Sequence, residues 1–576
     1  MGTKLHFAFG PSTSMLVCHN NQQGMEIALA AAATMSASEV SEMNRNEVGM
    51  IVPNTSDSTE LSRRRFIKAA GVAGIAGLLG QIAPASVLAA TPTKGGHFRV
   101  GCDDGNTGDS LEPGSYTTNF MNLLTKAKNN YLVEIAEDNG IIPELATHWE
   151  PSNGGQVWVF DLRRDVEFHN GKTLTSDDVI ASLNFHRGEN SKSAAKSLMD
   201  QIDGITADGK SRIVIKLRSG SADLPYIFTE LNLPIMPSDM SGTIDWKSGV
   251  GTGGYKLQGF EPGSRAELIR NPNYFKSGRA HFESVTLIAM PDTNSRQNAV
   301  STGEIDVMLE CDLRTVKLLE RNPAIRIDAV EGGSYASFPM QIGTKPFDNN
   351  DVRMAIKYSI DRELAVKTIL GGFASLGNDH PIPKTSEFFD ASIEQRHYDP
   401  ERSRYHLKKA GLENLGVQLH TSEAAFPGAV DMAAMFKATA QPAGIDVEIV
   451  RHPKDGYWSD VWMKKPFCAS FWGQRPTPDM IFSLGYAADA PWNETGLKNS
   501  RFNELLRAAR TEFDKARRTE MYHEMQSIIR DDGGSIIPFF KQWVGARRSN
   551  VEHSGRISGD WPLDGGRGVE RWWFSP

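Results

Sequence analysis

Cysteine is scarce in this sequence: four in 576 residues, at Cys18, Cys102, Cys311 and Cys468. No two stand at metal-ligand spacing, which excludes zinc ribbons and cysteine-bound clusters. There is no His-Glu-x-x-His helix and no Gly-x-Ser-x-Gly elbow, so neither a zincin nor an α/β-hydrolase signature is present. Gly171-Lys172-Thr173 resembles the end of a phosphate-binding loop, but position 166 is Val where that loop needs Gly. The tripeptide reads as a turn. Gly251-Thr252-Gly253-Gly254 could approach a ligand closely but lacks dinucleotide-binding spacing. The acidic pairs Asp177/Asp178 and Asp531/Asp532 are sequence neighbours, and such neighbours diverge on a helix. They suit helix ends better than acid–base catalysis. An excess of positive charge is also missing. The net charge of −8 argues against nucleic acid as a partner, because phosphate binding needs a basic face. Long apolar runs are missing too, which excludes a multi-span membrane protein. No repeat, heptad array or low-complexity tail occurs.

What is there is an ordinary globular composition, 40% hydrophobic and 23% charged. The chain is too long for one core, so two or three packed units are expected. The sharpest local signal is Ser62-Arg63-Arg64-Arg65-Phe66-Ile67-Lys68. It matches the twin-arginine export pattern, carried by Arg63, Arg64 and Phe66, with Ile67 where Leu is usual. Ala69 to Ala90 is rich in Gly and Ala and only weakly apolar, a poor anchor but a suitable signal region. Small residues before Ala90 and Thr91 place the mature start at one of these two. Cys102 lies too far in for lipid attachment. The expected product is soluble and free in the periplasm, exported by the twin-arginine translocase. Residues 1–49 sit oddly upstream of the signal, and a start at Met43 or Met50 is expected. Three cysteines then survive processing. One disulfide with one free thiol, or three buried thiols, both fit.

Coarse patterning favours α/β lobes. A first strand is expected at Gly96 to Val100 and a helix at Phe120 to Lys128. Trp158 to Leu162 alternates apolar and polar positions as a half-buried strand does, ending in the turn His169-Asn170-Gly171-Lys172. Thr175-Ser176-Asp177-Asp178 supplies caps for a helix to about Arg187. One amphipathic helix is expected over Asp351 to Leu370, stopped by Gly371-Gly372. Another is expected over Arg402 to Ala410, opened by Asp399-Pro400-Glu401. A helical run over Arg501 to Arg530 breaks near Asp514.

Six blocks spread over residues 94–545 resemble the family 5 extracellular solute-binding proteins, the dipeptide-, oligopeptide- and nickel-type receptors of ABC importers. They are Pro143 to Glu150 continuing through Val157–Leu162, Val166–Gly171 and Leu174–Val179; Gly251–Leu257 with Arg270–Phe275; Gly303–Val307; Lys345–Asp348 with Val352–Ile356 and Ile360–Arg362; Tyr398–Glu401 with Leu407–Gly411; and Asp514–Arg518 with Pro538. The resemblance implies an α/β, type II periplasmic binding protein fold of three domains in two lobes, with a hinge and an interlobe cleft. It implies a leader at 1–90, a lobe I core from 91–134, 245–338 and 541–576, an extra lobe I domain at 135–244, and lobe II at 339–540. Phe168 and Val179 are then core, Gly251 and Gly253 serve a tight turn, and Arg353 and Asp361 make structural polar contacts. Ligand capture would proceed by lobe closure and delivery to a membrane permease. No cofactor or catalytic group is implied. Other readings on the same chain are an exported hydrolase and a peptidoglycan- or chaperone-type binding protein. In some family members a disulfide ties the first strand to the segment after the Gly-Glu-x-Asp block, and Cys102 and Cys311 stand at comparable places.

Peptide-binding members carry a Trp followed three residues later by an Asp that pairs with the peptide ammonium. The comparable run here is Phe471-Trp472-Gly473-Gln474-Arg475. The Trp is kept and Arg475 stands where the Asp is expected. An ammonium buried against a guanidinium is costly, whereas an Arg fork suits a carboxylate or phosphate. The expected ligand is anionic: an acidic peptide, an opine-like conjugate or a polycarboxylate metal chelate. Arg475, Trp472, Phe471 and Gln474 are the candidate ligand-binding residues. The alternative is that Arg475 points away and pairs with Asp479 or another acid.

Overall fold

The computed structural model describes residues 92–576, which form one compact unit. Arg63, Arg64, Phe66 and Cys18 lie outside the described residues. The local expectations can be followed along the chain. Strand Val157–Leu162 alternates partly exposed with buried residues, and Trp158, Phe160 and Leu162 face the core. Helix Ser176–Phe185 opens on a capping box between Thr175 and Asp178, which satisfies two orphan backbone donors at once. The first strand is His97–Cys102 and the helix after it Asn119–Lys128. The stretch from Asp351 to Leu370 forms two helices, Asn350–Tyr358 and Arg362–Thr368, instead of the single one expected. The break comes from Asp361, whose carboxylate accepts from the Leu364 amide at 2.8 Å and so starts a new helix. Asp514 does the same between Ser500–Arg510 and Lys515–Asp532, accepting from the Arg517 amide.

Nine strands form the main sheet. Eight lie in the order Ser470–Trp472, Ile325–Pro339, Ser535–Arg548, Val307–Met308, His97–Cys102, Ser284–Ala289, Arg265–Arg270 and Tyr255–Glu261, and Ala374–Leu376 also pairs with Ser535–Arg548. His97–Cys102 runs parallel to both its neighbours. The two long strands, Ile325–Pro339 and Ser535–Arg548, pair antiparallel from Ile325 opposite Arg548 to Pro339 opposite Ser535. A register shift between Glu331 and Tyr335 bends the first of them. A separate four-stranded sheet joins Ala146–Ser152, Val157–Leu162, Arg212–Leu217 and Ile202–Ala207. Leu415–Thr421 and Ile445–Arg451 form a separate parallel pair.

Successive strand residues face opposite sides of a sheet, and the crossing strands feed two cores in this way. Ala336 and Phe539 face the core built on Leu415–Thr421 and Ala429–Ala440. Tyr335 and Phe540 face the other, with Trp472, Phe482, Tyr522 and Ile529, and the register shift between Ala336 and Phe338 lets Ile537 join them. Phe168 and Val179 are buried in the core of the four-stranded sheet. Arg353 donates to the carbonyls of Phe347 and Asp532, both at 2.7 Å. Gly251 and Gly253 are needed for close approach rather than for a special turn angle: a Cβ on either would lie within 2.4 Å of the Lys128 backbone.

The Cys102–Cys311 bridge is not formed. Cys102, Cys311 and Cys468 are separate buried thiols. Cys102 packs with Phe98, Val100 and Phe120 in one core, and Cys311 packs with Met308, Val316 and Val544 in another. Burial pushes the Cys311 thiol up to about 12, so it stays protonated and unreactive at neutral pH.

The C-terminal segment is fastened by buried charge. Glu134, Glu144 and Glu570 bring carboxylate oxygens within 4.8 Å of one another. Lys276 bonds Glu144 at 2.6 Å and also Glu134, Arg567 bonds Glu144 and Glu570 at 2.9 and 3.0 Å, and Arg571 bonds Glu134 at 2.6 Å. Burial pushes the Glu134 carboxyl up, but Lys276, Arg567 and Arg571 hold it well below its usual range. The cations already balance the cluster, so it is a structural ion network and not a free metal site.

Candidate ligand-binding cleft

The segment from Ser470 to Arg475 lies at the edge of the main sheet, against the crossing strand: Tyr335 pairs with Trp472, Ala336 with Phe471 and Ser337 with Ser470. Alternation fixes what each side chain can do. Ser470 and Trp472 are buried, and Phe471 between them is 37% exposed. Two cavities flank this segment. The larger, about 1240 Å³, has Phe471 in its wall with Leu313, Phe426, Met435 and Trp543. Asp103, Glu310, Glu423 and Arg451 also line it. These lie at or just after the C-terminal ends of His97–Cys102, Val307–Met308, Leu415–Thr421 and Ile445–Arg451, which is where α/β sheets carry their ligand sites. The smaller, about 190 Å³, is lined by Gln474 and Arg475 together with Asn139, Tyr226, Gly333 and Phe388.

Of the expected ligand-binding residues, Phe471, Gln474 and Arg475 line these cavities, and Trp472 does not. Its indole N–H donates to Glu494 Oε1 at 3.0 Å, and its ring packs under Gly485, where a Cβ would lie 2.8 Å away. Trp472 is core: its place on the strand turns it into the helical layer. Glu494, which the sequence reading missed, receives four neutral donors. Besides Trp472 they are Ser337 Oγ at 3.0 Å, Trp462 Nε1 at 2.7 Å and Ser470 Oγ at 2.8 Å. Burial pushes the Glu494 carboxyl up, and the donors pull against it.

Gln474 acts locally. Its Oε1 accepts from the Gly333 amide at 2.6 Å, and its own amide donates to Ser334 Oγ at 3.2 Å. It therefore clamps the loop onto the bend of the crossing strand. Arg475 is half-buried, and Nη1 donates to the carbonyls of Gly473 and Gln474 at 3.3 and 2.9 Å. It does not pair with Asp479, which Arg510 takes at 3.2 Å. Among the described residues no carboxylate bonds Arg475. Its charge acts on Glu230, whose carboxyl is pushed up by burial and drawn down by Arg475.

Two long strands pair along the main sheet, and two cavities flank its edge at Ser470 to Arg475. The chain belongs to family 5 of the bacterial extracellular solute-binding proteins, whose family 5 Middle model matches residues 140–494. The dipeptide-binding protein of Escherichia coli is 23% identical over 444 residues, covering 69% of this chain and 80% of that one. Two solved structures share the fold. One is the binding protein AgaA of A. tumefaciens R10 in complex with agropinic acid, at 20% identity and TM-score 0.66, covering 84% of this chain and 99% of that one. The other is NikZ of Campylobacter jejuni in complex with Ni(L-His), at 17% identity and TM-score 0.67, covering 83% and 99%. The chain is accordingly the substrate-binding component of an ABC importer. No described helix is long and apolar enough to cross a membrane.

Proposed function

We propose that this receptor captures a small anionic peptide or peptide-like molecule, such as an opine-type conjugate or a carboxylate chelate, and delivers it to its permease. The observation that carries the reading is Arg475: a half-buried guanidinium in a cavity wall, held by two carbonyls of its own loop and bonded to no carboxylate among the described residues. Such a group costs desolvation energy unless an anion completes it. Phe471 and the apolar wall of the larger cavity suit the body of such a ligand. The related dipeptide-binding protein and the agropinic acid complex give the two ligand types their precedent. Lobe closure around the ligand would present a new surface to the permease. Export through the twin-arginine route by Arg63, Arg64 and Phe66, release into the periplasm, and the segment boundaries set out above belong to the same proposal.

A thermal-shift screen of the purified protein against neutral peptides, acidic peptides, opines and carboxylate chelates tests it. A ligand that binds only the folded state raises the melting temperature by mass action. The expected result is a shift confined to anionic compounds and lost in Arg475→Asp. Shifts confined to neutral peptides, kept in Arg475→Asp, would refute it.

A further inference from the structure

The loop from Thr511 to Asp514 joins helices Ser500–Arg510 and Lys515–Asp532, and its Phe513 packs on a different part of the molecule. The Phe513 ring lies 6.1 Å from that of Trp158, in the four-stranded sheet. Gly155, in the turn before strand Val157–Leu162, leaves room for it: a Cβ there would lie 2.8 Å from Phe513 Cζ. Trp158 is itself held in place, because its indole N–H reaches the carbonyls of Gly155 and Ser221, both at 3.1 Å.

Two polar contacts accompany the ring. The Ala222 amide donates to the Arg510 carbonyl at 2.8 Å. It thereby satisfies one of the carbonyls that helix Ser500–Arg510 leaves unpaired at its C-terminal end. The Asp223 carboxylate lies 2.8 Å from Arg518 Nη2, and both residues are buried. On its own side, Arg518 donates to the Ala509 carbonyl at 3.0 Å and to the Tyr522 hydroxyl at 2.9 Å.

The bodies that meet here are packed separately. Among the described residues, the core of the four-stranded sheet and the core around Phe482 and Tyr522 have no residue in common. A small contact between two separate cores can open without unfolding either. Its position gives that opening a consequence. Asp223 stands at the N-cap of the short helix Leu224–Ile227, whose Tyr226 lines the Arg475 cavity. The Arg518 guanidinium lies 5.6 Å from the ring centre of Phe388, which lines the same cavity. The Asp223–Arg518 pair thus joins two parts of one cavity wall from behind.

We propose that Phe513, Ala222 and the Asp223–Arg518 pair form a reversible latch, which opens as one unit while both cores stay folded and which, when shut, sets Tyr226 and Phe388 in place around the Arg475 cavity. Phe513, Asp223 and Arg518 are then positioning residues, shaping the cavity without lining it. The latch is independent of the charge of whatever the cavity binds.

Hydrogen exchange of the purified, ligand-free protein, resolved by mass spectrometry to the Ala222 amide, tests this in wild type, Phe513→Ala, Phe513→Tyr and Asp223→Asn. Phe513 is 44% exposed and Asn keeps the size of Asp. Exchange in strand Val157–Leu162 and helix Lys515–Asp532 reports whether each variant is folded. The expected result is a wild-type Ala222 amide that is protected, yet exchanges faster than those two elements. Its rate should rise about tenfold in Phe513→Ala and Asp223→Asn and return to the wild-type value in Phe513→Tyr, with the two elements unchanged. Spin labels at Ser152→Cys and Glu520→Cys, both exposed positions, read the separation of the two bodies by pulsed EPR, and a second, longer distance should grow in Phe513→Ala. An Ala222 amide that exchanges only together with the two elements, or that is unprotected in wild type, would overturn the latch. So would one unchanged distance in wild type and Phe513→Ala.

Discussion

Trp472 donates its indole N–H to the buried carboxyl of Glu494 at 3.0 Å, and this bond ties the edge of the cleft to the core. Because Ser470 also bonds Glu494, the residues on both sides of Phe471 are anchored to one group. Phe471 is thereby held outward. Replacing Glu494 by Ala would strand four buried donors, each costing about 1–3 kcal/mol if left unmade. Glu494→Ala should lower unfolding free energy by about 3 kcal/mol or more, and Glu494→Gln, which keeps an acceptor oxygen, by less. Urea denaturation measures both. Equal, small effects would show that the four bonds carry little.

Lys128 gives a stability signature in pH. Its side chain is fully buried and its ammonium meets the Asn129 amide oxygen at 2.6 Å. Burial lowers its pKa to about 7, against about 10.4 in the unfolded chain. Between these values the unfolded state holds the proton more tightly, so this group's contribution to stability rises with pH. Below about pH 7 the penalty of the buried charge is at its full size, on the order of a few kcal/mol, and it is relieved as the pH approaches 10. Lys128→Met should therefore melt higher than wild type at pH 6, with the gap narrowing toward pH 9. A gap that does not change with pH would contradict the burial account.

The Glu134–Glu144–Glu570 cluster predicts indifference to metals. Lys276, Arg567 and Arg571 already pair with it, so a divalent ion would have to displace a cation. Zn²⁺, Ni²⁺ or a chelator should leave the melting temperature unchanged within about 1 °C, since only a bound ligand adds stability by mass action. Arg567→Met, which leaves buried carboxylates uncompensated, should destabilise by about 3–5 kcal/mol. A strong metal-induced rise in wild type would show that the cluster exchanges its cations for an ion.

Elements with local causes were legible in the sequence. The period-two pattern of Val157–Leu162, the cap at Thr175 and the break near Asp514 each arise from neighbours in the chain, whereas Gly251 and Gly253, expected in a tight turn, answer to the Lys128 backbone packed against them. The single helix expected over Asp351–Leu370 failed because Asp361 can cap as well as continue a polar face, and a pattern of apolar spacing does not register the difference. The cleft was legible only in part. Arg475 stood out as a charge change in a recognisable run, and it does line a cavity. The inward turn of Trp472 did not stand out, since a Trp at an edge strand reads the same facing core or ligand. Its partner Glu494 lies 22 residues on. Such meetings are made by topology, and spacing carries no trace of them. The same holds for the cysteines, which sit in three different cores.

The central claim is that Arg475 selects an anion. Isothermal titration of the purified protein with L-glutamyl-L-glutamate and with L-alanyl-L-alanine, in wild type and Arg475→Ala, measures it most directly. The account predicts tighter binding of the acidic dipeptide, and a loss of about 2 kcal/mol or more in Arg475→Ala, as for truncating one partner of a buried charge pair. Tight binding of L-alanyl-L-alanine, unchanged in Arg475→Ala, would contradict it.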